Sequence, residues 1–322
     1  PSNAFLTADA LSASETWFPL KLFTCGNCRL VQIDEVQSHA ELFAPHYVYY
    51  SSFSRSWLAH AERYVEQAAT RLDLGQDSLV MEIASNDGYL LQYVAARGIP
   101  CIGIEPTAGT AKVARQKEIE TLERFFGRDF AAEFVCERRA ADLIVANNVL
   151  AHVPDINDFV AGLAVALAPE GVITVEFPHL MELVAKRQFD TVYHEHFSYF
   201  SFHTARRILA AQGLKSWDVE QLPTHGGSLR LWAAHTHSQH AETPAVSALL
   251  EVEKAAGMLD SAYYQGFQAQ ADAVKNDCVA FLLEQQRAGR RVAGYGAAAK
   301  GNTLLNYAGV RPDLLPYVVD AS

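Results

Sequence analysis

One segment in the middle of the chain, Tyr-His-Glu-His-Phe-Ser-Tyr-Phe-Ser, concentrates side chains that can move protons. We interpret His196 as a general base, because imidazole has the unperturbed pKa closest to neutral pH. Tyr193 is a candidate proton donor to a developing enolate oxygen, and Tyr47 can add to it. Glu195 and His152 are candidates for orienting a substrate. Metal ligation by His-Glu-His and a hydrogen-bonded core loop remain alternative interpretations.

A second group of candidates follows an apolar stretch, Val-Met-Glu-Ile-Ala, that leads into Ser-Asn-Asp-Gly. A strand, a sharp turn of small residues and a helix let backbone N–H groups approach a nucleotide-type ligand. Dehydrogenases use three glycines in such a turn, whereas here only Gly88 is present. The single glycine favours the methionine tail of S-adenosylmethionine over a pyrophosphate.

Other residues at the same edge of the predicted sheet extend this cofactor site. Glu105 ends the next strand, where an acid can accept both ribose hydroxyls. A Phe-Phe pair can enclose an adenine ring, although core packing is the alternative, and an Asn-Asn pair follows a later strand. The predicted cofactor-binding residues are Glu82, Ala84, Ser85, Asn86, Gly88, Glu105, Phe125, Phe126, Asn147 and Asn148.

Two places offer donors for a phosphate group. Lys300 lies where a Gly/Ala-rich turn opens a helix, which is a ready site for an anion. The second candidate is a stretch that we interpret as a flexible turn carrying hydrogen-bond donors. It contains His225, Ser228 and Arg230. The alternatives are a solvated lysine and a structural arginine.

Cys25 and Cys28 form Cys-Gly-Asn-Cys, a spacing that lets two thiolates hold one tetrahedral zinc ion. A structural site needs four ligands, and His39 and His46 are the other candidates nearby. The alternative is a pair of reduced cysteines in a turn. The remaining cysteines are scattered and read as small buried side chains, which fits a reducing cytoplasm.

Composition limits the classes of partner. The chain has 322 residues, of which 50% are hydrophobic, and a formal net charge of −11. An acidic chain lacks the overall positive charge that attracts nucleic acid or an anionic membrane surface. No apolar run is long enough to span a bilayer and no signal peptide is visible, so we expect a cytoplasmic protein that is a monomer or a weak homodimer.

Strand and helix patterns alternate from residue 78 to residue 176, which predicts an α/β fold with a doubly wound, mostly parallel sheet. Residues 1–45 read as a small zinc-binding piece, residues 46–222 as the cofactor-binding domain and residues 223–322 as a second α/β unit. It contains a strand-like stretch over residues 227–234, a long helical region over residues 242–287 and then a new strand over residues 290–296. Because it ends after one strand-turn-helix-strand, and the chain starts without Met, we expect a fragment.

These motifs resemble those of class I methyltransferases that use S-adenosylmethionine. The Tyr-His-Glu-His-Phe-Ser-Tyr-Phe-Ser segment is similar to the hallmark stretch of the sugar C-methyltransferases, and the resemblance covers nearly the whole chain. It implies a dTDP-linked keto-deoxysugar as the substrate, with active-site roles for Tyr193, Glu195, His196 and His152. It also implies a zinc site built from two CxxC pairs, of which this sequence contains one.

The implied chemistry sets requirements for the site. Moving a methyl group to carbon needs a base that removes a proton beside a ketone and a donor that stabilises the enolate oxygen. Three other functions remain open: methylation of oxygen or nitrogen on another small molecule, a nicotinamide site at Gly-Tyr-Gly-Ala-Ala-Ala-Lys-Gly, and binding of S-adenosylmethionine or a nucleotide sugar without catalysis.

Overall fold

A seven-stranded sheet forms the centre of the molecule. The structure is a computed structural model that describes residues 9, 12–36, 49–296 and 299–319. The strands are β1 (Leu22–Thr24), β2 (Val31–Ile33), β3 (Val80–Ile83), β4 (Cys101–Ile104), β5 (Thr121–Leu122), β6 (Ala141–Asn147), β7 (Leu167–Pro178), β8 (Ser198–Tyr199), β9 (Leu214–Leu222), β10 (Ser228–His235), β11 (Gly294–Tyr295) and β12 (Val318–Val319). The helices are α1 (Arg55–Arg71), α2 (Leu91–Ala95), α3 (Ala108–Gln116), α4 (Arg128–Glu137), α5 (Ile156–Ala166), α6 (Leu180–Ala185), α7 (Phe202–Ala211), α8 (Pro244–Ala255), α9 (Ala262–Gln265), α10 (Phe267–Arg287) and α11 (Ala299–Ala308).

The strand order of the central sheet is β5-β4-β3-β6-β7-β10-β9. The first five strands run parallel, whereas β10 is antiparallel to both β7 and β9. The order reverses between β3 and β6, so the carboxyl ends of these two strands flank the switch point where such sheets bind ligands. The predicted doubly wound, mostly parallel sheet is confirmed.

One part of the predicted layout changes. The strand-like stretch over residues 227–234, which the prediction assigned to the carboxyl-terminal region, is β10, which lies between β7 and β9 and completes the central sheet. The sheet therefore continues across the predicted division between residues 222 and 223, and the chain leaves it only after His235. Local periodicity identified the strand correctly, but it carries no information about which neighbours the strand pairs with.

Both faces of the sheet are covered by apolar side chains, as a parallel sheet requires. One face carries a core that includes Phe130, Phe159 and Phe202. The other face packs Tyr64 of α1 against Trp232 of β10. Three of the covering helices have N-cap side chains: Ser54 accepts from Trp57 N–H at the start of α1, Asp155 caps α5 and Ser201 caps α7.

The amino-terminal piece is joined to the centre of the molecule by a small sheet of order β1-β2-β8. β8 begins two residues after His196, and Val31 pairs with Tyr199 in an antiparallel register. The N–H of Ile33 also donates to the carbonyl of Phe197 over 3.0 Å. The backbone after the predicted base is therefore held by β2.

The carboxyl-terminal region differs in detail from the expected long helical stretch, because it is divided into α8, α9 and α10. The chain turns at Gly257, whose φ of +85° lies in the left-handed region, before α9. β11 and β12 then form a two-stranded parallel sheet around α11. In the part of the chain that the structure describes, every helix is too short or too polar to cross a bilayer.

Candidate active site

The turn after β3 is held in an unusual backbone conformation. Ala84, Asn86 and Gly88 all have φ in the left-handed region, at +55°, +51° and +73°. Such positions cost free energy for residues other than glycine and cluster at functional sites. A Cβ at Gly88 would lie 2.5 Å from Cδ1 of Ile119, so packing as well as the positive φ requires glycine there.

The side chain of Asn86 ties this turn to the segment before α1. Its Oδ1 accepts from the N–H of Ser51 over 2.9 Å, and its Nδ2 donates to the carbonyl of Tyr49 over 3.0 Å. Asp87, which the sequence analysis did not select, accepts a hydrogen bond from the hydroxyl of Ser52. Residues 49–52 therefore lie across the turn and fix its shape.

Several buried polar atoms near the ends of β3 and β6 make no close hydrogen bond among the described residues, although the hydroxyl of Tyr89 interacts with Glu82 and Asn147. They are both carboxylate oxygens of Glu82, Oγ of Ser85, Oδ1 of Asp87 and both amide atoms of Asn147. Burial raises the pKa of Glu82 well above its usual range. Since buried polar groups are normally paired, this set of unpaired donors and acceptors fits a ligand with ammonium and carboxylate groups, such as the methionine tail of S-adenosylmethionine.

Glu105 directly follows β4 and supports the same turn. Its carboxylate accepts from the N–H of Asn86 over 2.8 Å and from the N–H of Thr107 over 2.9 Å. Burial raises the pKa of Glu105, and these hydrogen bonds oppose that shift. A carboxylate has about four acceptor positions, so a position remains for the predicted ribose contact.

The Phe-Phe pair is divided between the surface and the core. Phe126 packs edge-to-face against Phe130 and Phe159, with ring centroids 6.0 and 5.4 Å away. The side chain of Phe125 is 46% exposed. This placement favours Phe125 over Phe126 as the ring that covers an adenine.

The structure brings the predicted base and proton donor into direct contact. Nδ1 of His196 lies 3.1 Å from the carbonyl oxygen of Thr191, so this nitrogen carries the proton and donates. The other nitrogen, Nε2, therefore accepts from the hydroxyl of Tyr193 over 2.7 Å. The single lone pair of the neutral imidazole is taken by Tyr193.

His152 lies edge-on to His196, with ring centroids 4.7 Å apart. Its Nδ1 donates to the backbone carbonyl of Glu195 over 2.7 Å, and the N–H of Phe197 donates to the carbonyl of Ala151 over 2.7 Å. The loop after β6 and the segment that carries His196 therefore each donate one hydrogen bond to the other. The side chain of Glu195 is buried at 2% exposure, and Tyr47 lies outside the described residues.

Both imidazoles are neutral at neutral pH. Burial, followed by the neighbouring His152, holds the pKa of His196 well below its usual range, and Lys300 and His225 act in the same direction. Burial lowers the pKa of His152 to about 4. A neutral His196 can accept a proton, as a general base must.

Lys300 and His225 approach this group from two different elements. Lys300 is in the first turn of α11, and α11 is held near His196 because the hydroxyl of Thr303 donates to the carbonyl of Val192 over 2.9 Å. His225 lies in a short turn before β10, where its Nε2 accepts from Nδ2 of Asn148 over 3.2 Å.

Ser228 and Arg230 do not lie in a flexible turn, as was predicted from the sequence. Both lie in β10 and are 2% exposed. The hydroxyl of Ser228 donates to the carbonyl of Thr224 over 2.9 Å. The guanidinium of Arg230 pairs with Glu176 at 2.7 Å and with Glu220 at 3.2 Å. Its charge is already balanced inside the protein, which corrects its interpretation as a phosphate donor on a mobile turn.

Sequence reasoning missed three residues beside this site: Trp57, His60 and Glu176. Trp57 stacks on His60 at 4.9 Å and tilts against His225 at 5.2 Å, and Nε2 of His60 donates to Glu176 over 2.9 Å. Glu176 ends the apolar run Gly-Val-Ile-Thr-Val-Glu in the sequence. A charged residue at the end of such a strand is the signal that could have found it.

Family comparisons divide the chain into three matched segments. Residues 1–43 match the model described as "Putative zinc binding domain", residues 57–219 match "Methyltransferase domain" and residues 223–322 match "C-methyltransferase C-terminal domain". The C-methyltransferase NovU of Streptomyces niveus is 33% identical over 299 residues, which are 93% of this chain and 71% of NovU. The chain belongs to the C-methyltransferase family. The family predicted from the sequence is thereby confirmed, and the protein is an S-adenosylmethionine-dependent enzyme of the class I methyltransferase fold.

Solved structures with related folds are more distant from this C-methyltransferase. Magnesium protoporphyrin IX methyltransferase from Synechocystis PCC 6803, with bound SAH, is 16% identical with a TM-score of 0.43, covering 56% of this chain and 82% of that chain. A SAM-dependent methyltransferase from Archaeoglobus fulgidus is 16% identical with a TM-score of 0.39, covering 50% and 71%. The strand order and the matched family models define the fold without these two structures.

The amino-terminal piece of this C-methyltransferase contains the two cysteines predicted to bind zinc. Cys25 and Cys28 lie in the turn between β1 and β2, and hydrogen bonds from the backbone N–H groups of Cys28 and Asn27 lower the pKa of the Cys25 thiol. A lowered pKa favours the thiolate that zinc binds. Within residues 9, 12–36, 49–296 and 299–319, no three His, Cys, Asp or Glu side chains form a metal cluster. The two cysteines therefore fit as a partial ligand set, and His39 and His46 lie outside the described residues.

Proposed function

We propose that this enzyme methylates a carbon atom beside the ketone of a nucleotide-linked deoxysugar, with dTDP as the nucleotide. The observation that carries the proposal is the pair formed by Tyr193 and His196, which joins a neutral base to a phenol over 2.7 Å. Methylation of carbon needs removal of a C–H proton, whereas methylation of a hydroxyl or amine needs no enolate. The match to the C-methyltransferase model and the similarity to NovU support the same chemistry.

The hydrogen bonds of His196 suggest how the proton moves. Because Nε2 of His196 is occupied by Tyr193, we propose that the phenol oxygen of Tyr193 accepts the substrate proton while its own proton passes to Nε2. The C–H bond breaks, its electron pair forms the enolate, and His196 becomes an imidazolium. The carbonyl of Thr191 holds Nδ1–H and keeps the ring in place. Tyr193 now carries the proton that came from the substrate and lies beside the enolate. Its predicted role thus changes from a proton donor to a group that passes a proton from the substrate to His196.

S-adenosylmethionine, when bound, supplies an electrophilic methyl group. In the proposal, Glu82, Asn147 and the turn from Ala84 to Gly88 hold its methionine part, and Glu105 contacts its ribose. The unpaired buried atoms of Glu82, Ser85 and Asn147 support the assignment of the methionine part. The protein's part in the transfer is alignment, since an in-line displacement depends on the position of the attacking carbon.

The nucleotide end of the substrate is assigned to Lys300 and His225. The charge of Lys300 lies near enough to His196 to lower the pKa of His196, and His225 acts in the same direction. Lys300 supplies the positive charge that a diphosphate needs, and it is in the first turn of a helix, where the helix dipole also favours an anion.

The test is incubation of the protein with isotopically labelled S-adenosylmethionine and a panel of keto-sugar nucleotides, with products analysed by mass spectrometry and NMR. We expect the label on a carbon adjacent to the ketone. A label on oxygen or nitrogen would contradict the proposal, and so would the absence of labelled product with every sugar nucleotide. His196→Ala is expected to abolish the product while the affinity for S-adenosylmethionine stays within a few-fold.

A further inference from the structure

The carboxylate of Glu176 collects hydrogen bonds from three separate elements. It is fully buried at the end of β7 and accepts from Nε2 of His60 on α1 over 2.9 Å. It also accepts from Arg230 on β10 over 2.7 Å and from the hydroxyl of Thr224 over 3.1 Å. One buried acid therefore joins a helix, a strand and the turn that carries His225.

The charge of Glu176 is balanced without Thr224. Burial alone would raise the pKa of this carboxyl, but the hydrogen bond from His60 and the charge of Arg230 outweigh it, so its pKa lies below the usual value. An ionised, paired carboxylate is a strong acceptor in the protein interior. The hydrogen bond from Thr224 therefore attaches the turn to Glu176 and is not needed to balance the charge of the carboxylate.

A second connection runs from Glu176 to His225 through the backbone. The carbonyl of Glu176 accepts from the N–H of Asn148 over 2.7 Å, and Nδ2 of Asn148 donates to Nε2 of His225 over 3.2 Å. Asn148 and His225 have φ of +52° and +51°, a region that non-glycine residues rarely occupy. Both residues are held in this conformation by hydrogen bonds: Asn148 is bound to the carbonyl of Glu176, and His225 is bound to Asn148.

We infer that Glu176 is a positioning residue, which acts through Thr224 and Asn148 to hold His225 toward the substrate. Because Nε2 of His225 accepts from Asn148, the neutral imidazole keeps Nδ1–H as its donor, and we assign this N–H to an oxygen of the sugar nucleotide. The inference rests on the proposed function, since it requires a substrate at these strand ends. It goes further by giving His225 a defined tautomer and Glu176 a role.

The kinetic test uses Thr224→Val, which removes one hydrogen bond and leaves the pair of Glu176 and Arg230 intact. We expect kcat/KM for the methyl-accepting sugar nucleotide to fall about tenfold, as for loss of one hydrogen bond, with unchanged affinity for S-adenosylmethionine. Thr224→Ser restores the hydroxyl and should restore activity. The matched control is Thr70→Val, because Thr70 is exposed on α1 and its hydroxyl contacts only the backbone of its own helix.

A double-mutant cycle separates positioning from a general structural effect. In a His225→Ala background, Thr224→Val should cause no further loss, because the group it positions is absent. An equal loss in both backgrounds would overturn the inference, and so would full activity of Thr224→Val in the native background.

NMR tests the same inference without turnover. In protein labelled with ¹⁵N-histidine, the signal missing from His225→Ala identifies this side chain. We expect the Nδ1–H tautomer in the native protein and in Thr224→Ser, and a shifted or averaged signal in Thr224→Val. An unchanged signal in Thr224→Val would overturn the positioning role even if the enzyme methylates sugars. If no sugar is methylated but the signal shifts as expected, the proposed function fails while the positioning of His225 stands.

Discussion

The hydroxyl of Tyr193 donates to Nε2 of His196 over 2.7 Å, and the two ring centroids are 4.0 Å apart. A base whose lone pair is already occupied must either release its partner or act through it. The distinction can be measured.

Tyr193→Phe removes the phenol and leaves Nε2 of His196 without this donor. If Tyr193 relays the proton, exchange of solvent deuterium into the carbon beside the ketone should fall by at least about 100-fold, as far as in His196→Ala. The exchange is followed by NMR without methyl donor. Persistent exchange in Tyr193→Phe would show that His196 takes the proton directly.

The dependence of turnover on pH follows from the lowered pKa of His196. Because burial and His152 hold this pKa well below its usual range, the base stays neutral as the pH falls through 6.5, the usual value for histidine. We expect kcat to remain flat there and to decrease only at distinctly lower pH, where the imidazole becomes protonated. A decrease centred near 6.5 would indicate that a different group is titrating.

His152 makes stability sensitive to acid. Its pKa is about 4 in the folded protein, against 6.5 as its ordinary value. Between these values the unfolded chain binds a proton that the folded protein does not, so stability is lost as the pH falls. The free energy of unfolding should decrease by about 3 kcal/mol from this residue, as measured by urea titration between pH 7 and pH 4. His152→Gln should have a smaller slope, and an identical slope would assign the effect to other groups.

Glu105→Gln tests the ribose contact separately from the support of the turn. We expect S-adenosylhomocysteine to bind about 1–3 kcal/mol more weakly in calorimetry. A 2′-deoxyribose analogue, which lacks one of the hydroxyls, should lose less affinity on the same substitution. Equal losses for both ligands would mean that Glu105 acts only by holding Asn86 and Thr107.

The zinc site is tested by metal analysis of the purified protein. Cys25→Ser and Cys28→Ser should each reduce bound zinc and lower the melting temperature, because a structural metal contributes directly to folding. Cys136→Ser is the control, since Cys136 is an exposed free cysteine on α4. Unchanged zinc content in both variants of the turn would contradict ligation by these two cysteines.

Residue patterns predicted the parts of the molecule that depend on local sequence. The strand before Ser85, the Cys25–Cys28 turn and the helix that carries Lys300 all follow from apolar runs, glycines and spacing. The place of β10 between two other strands could not be predicted, because pairing depends on distant partners. The same reason hid His60 and Glu176, which are separated by more than 100 residues and meet only in the folded chain.

Arg230 and Phe126 show a second limit of sequence reasoning. An arginine near glycines and a pair of phenylalanines have the right chemistry for a ligand, but burial decides what they contact. Arg230 meets Glu176 inside the protein, and Phe126 meets Phe130 and Phe159. The type of side chain indicates possible contacts, whereas packing selects among them.

The pairing of β2 with β8 has a consequence for how the protein is made. Val31 and Tyr199 are joined in one small sheet although roughly 170 residues separate them, a long-range contact of the kind that slows folding. During synthesis, β2 emerges from the ribosome long before its partner exists. β2 therefore stays unpaired until the middle of the chain has been made, and the backbone beside His196 reaches its final pairing only when these two distant parts meet.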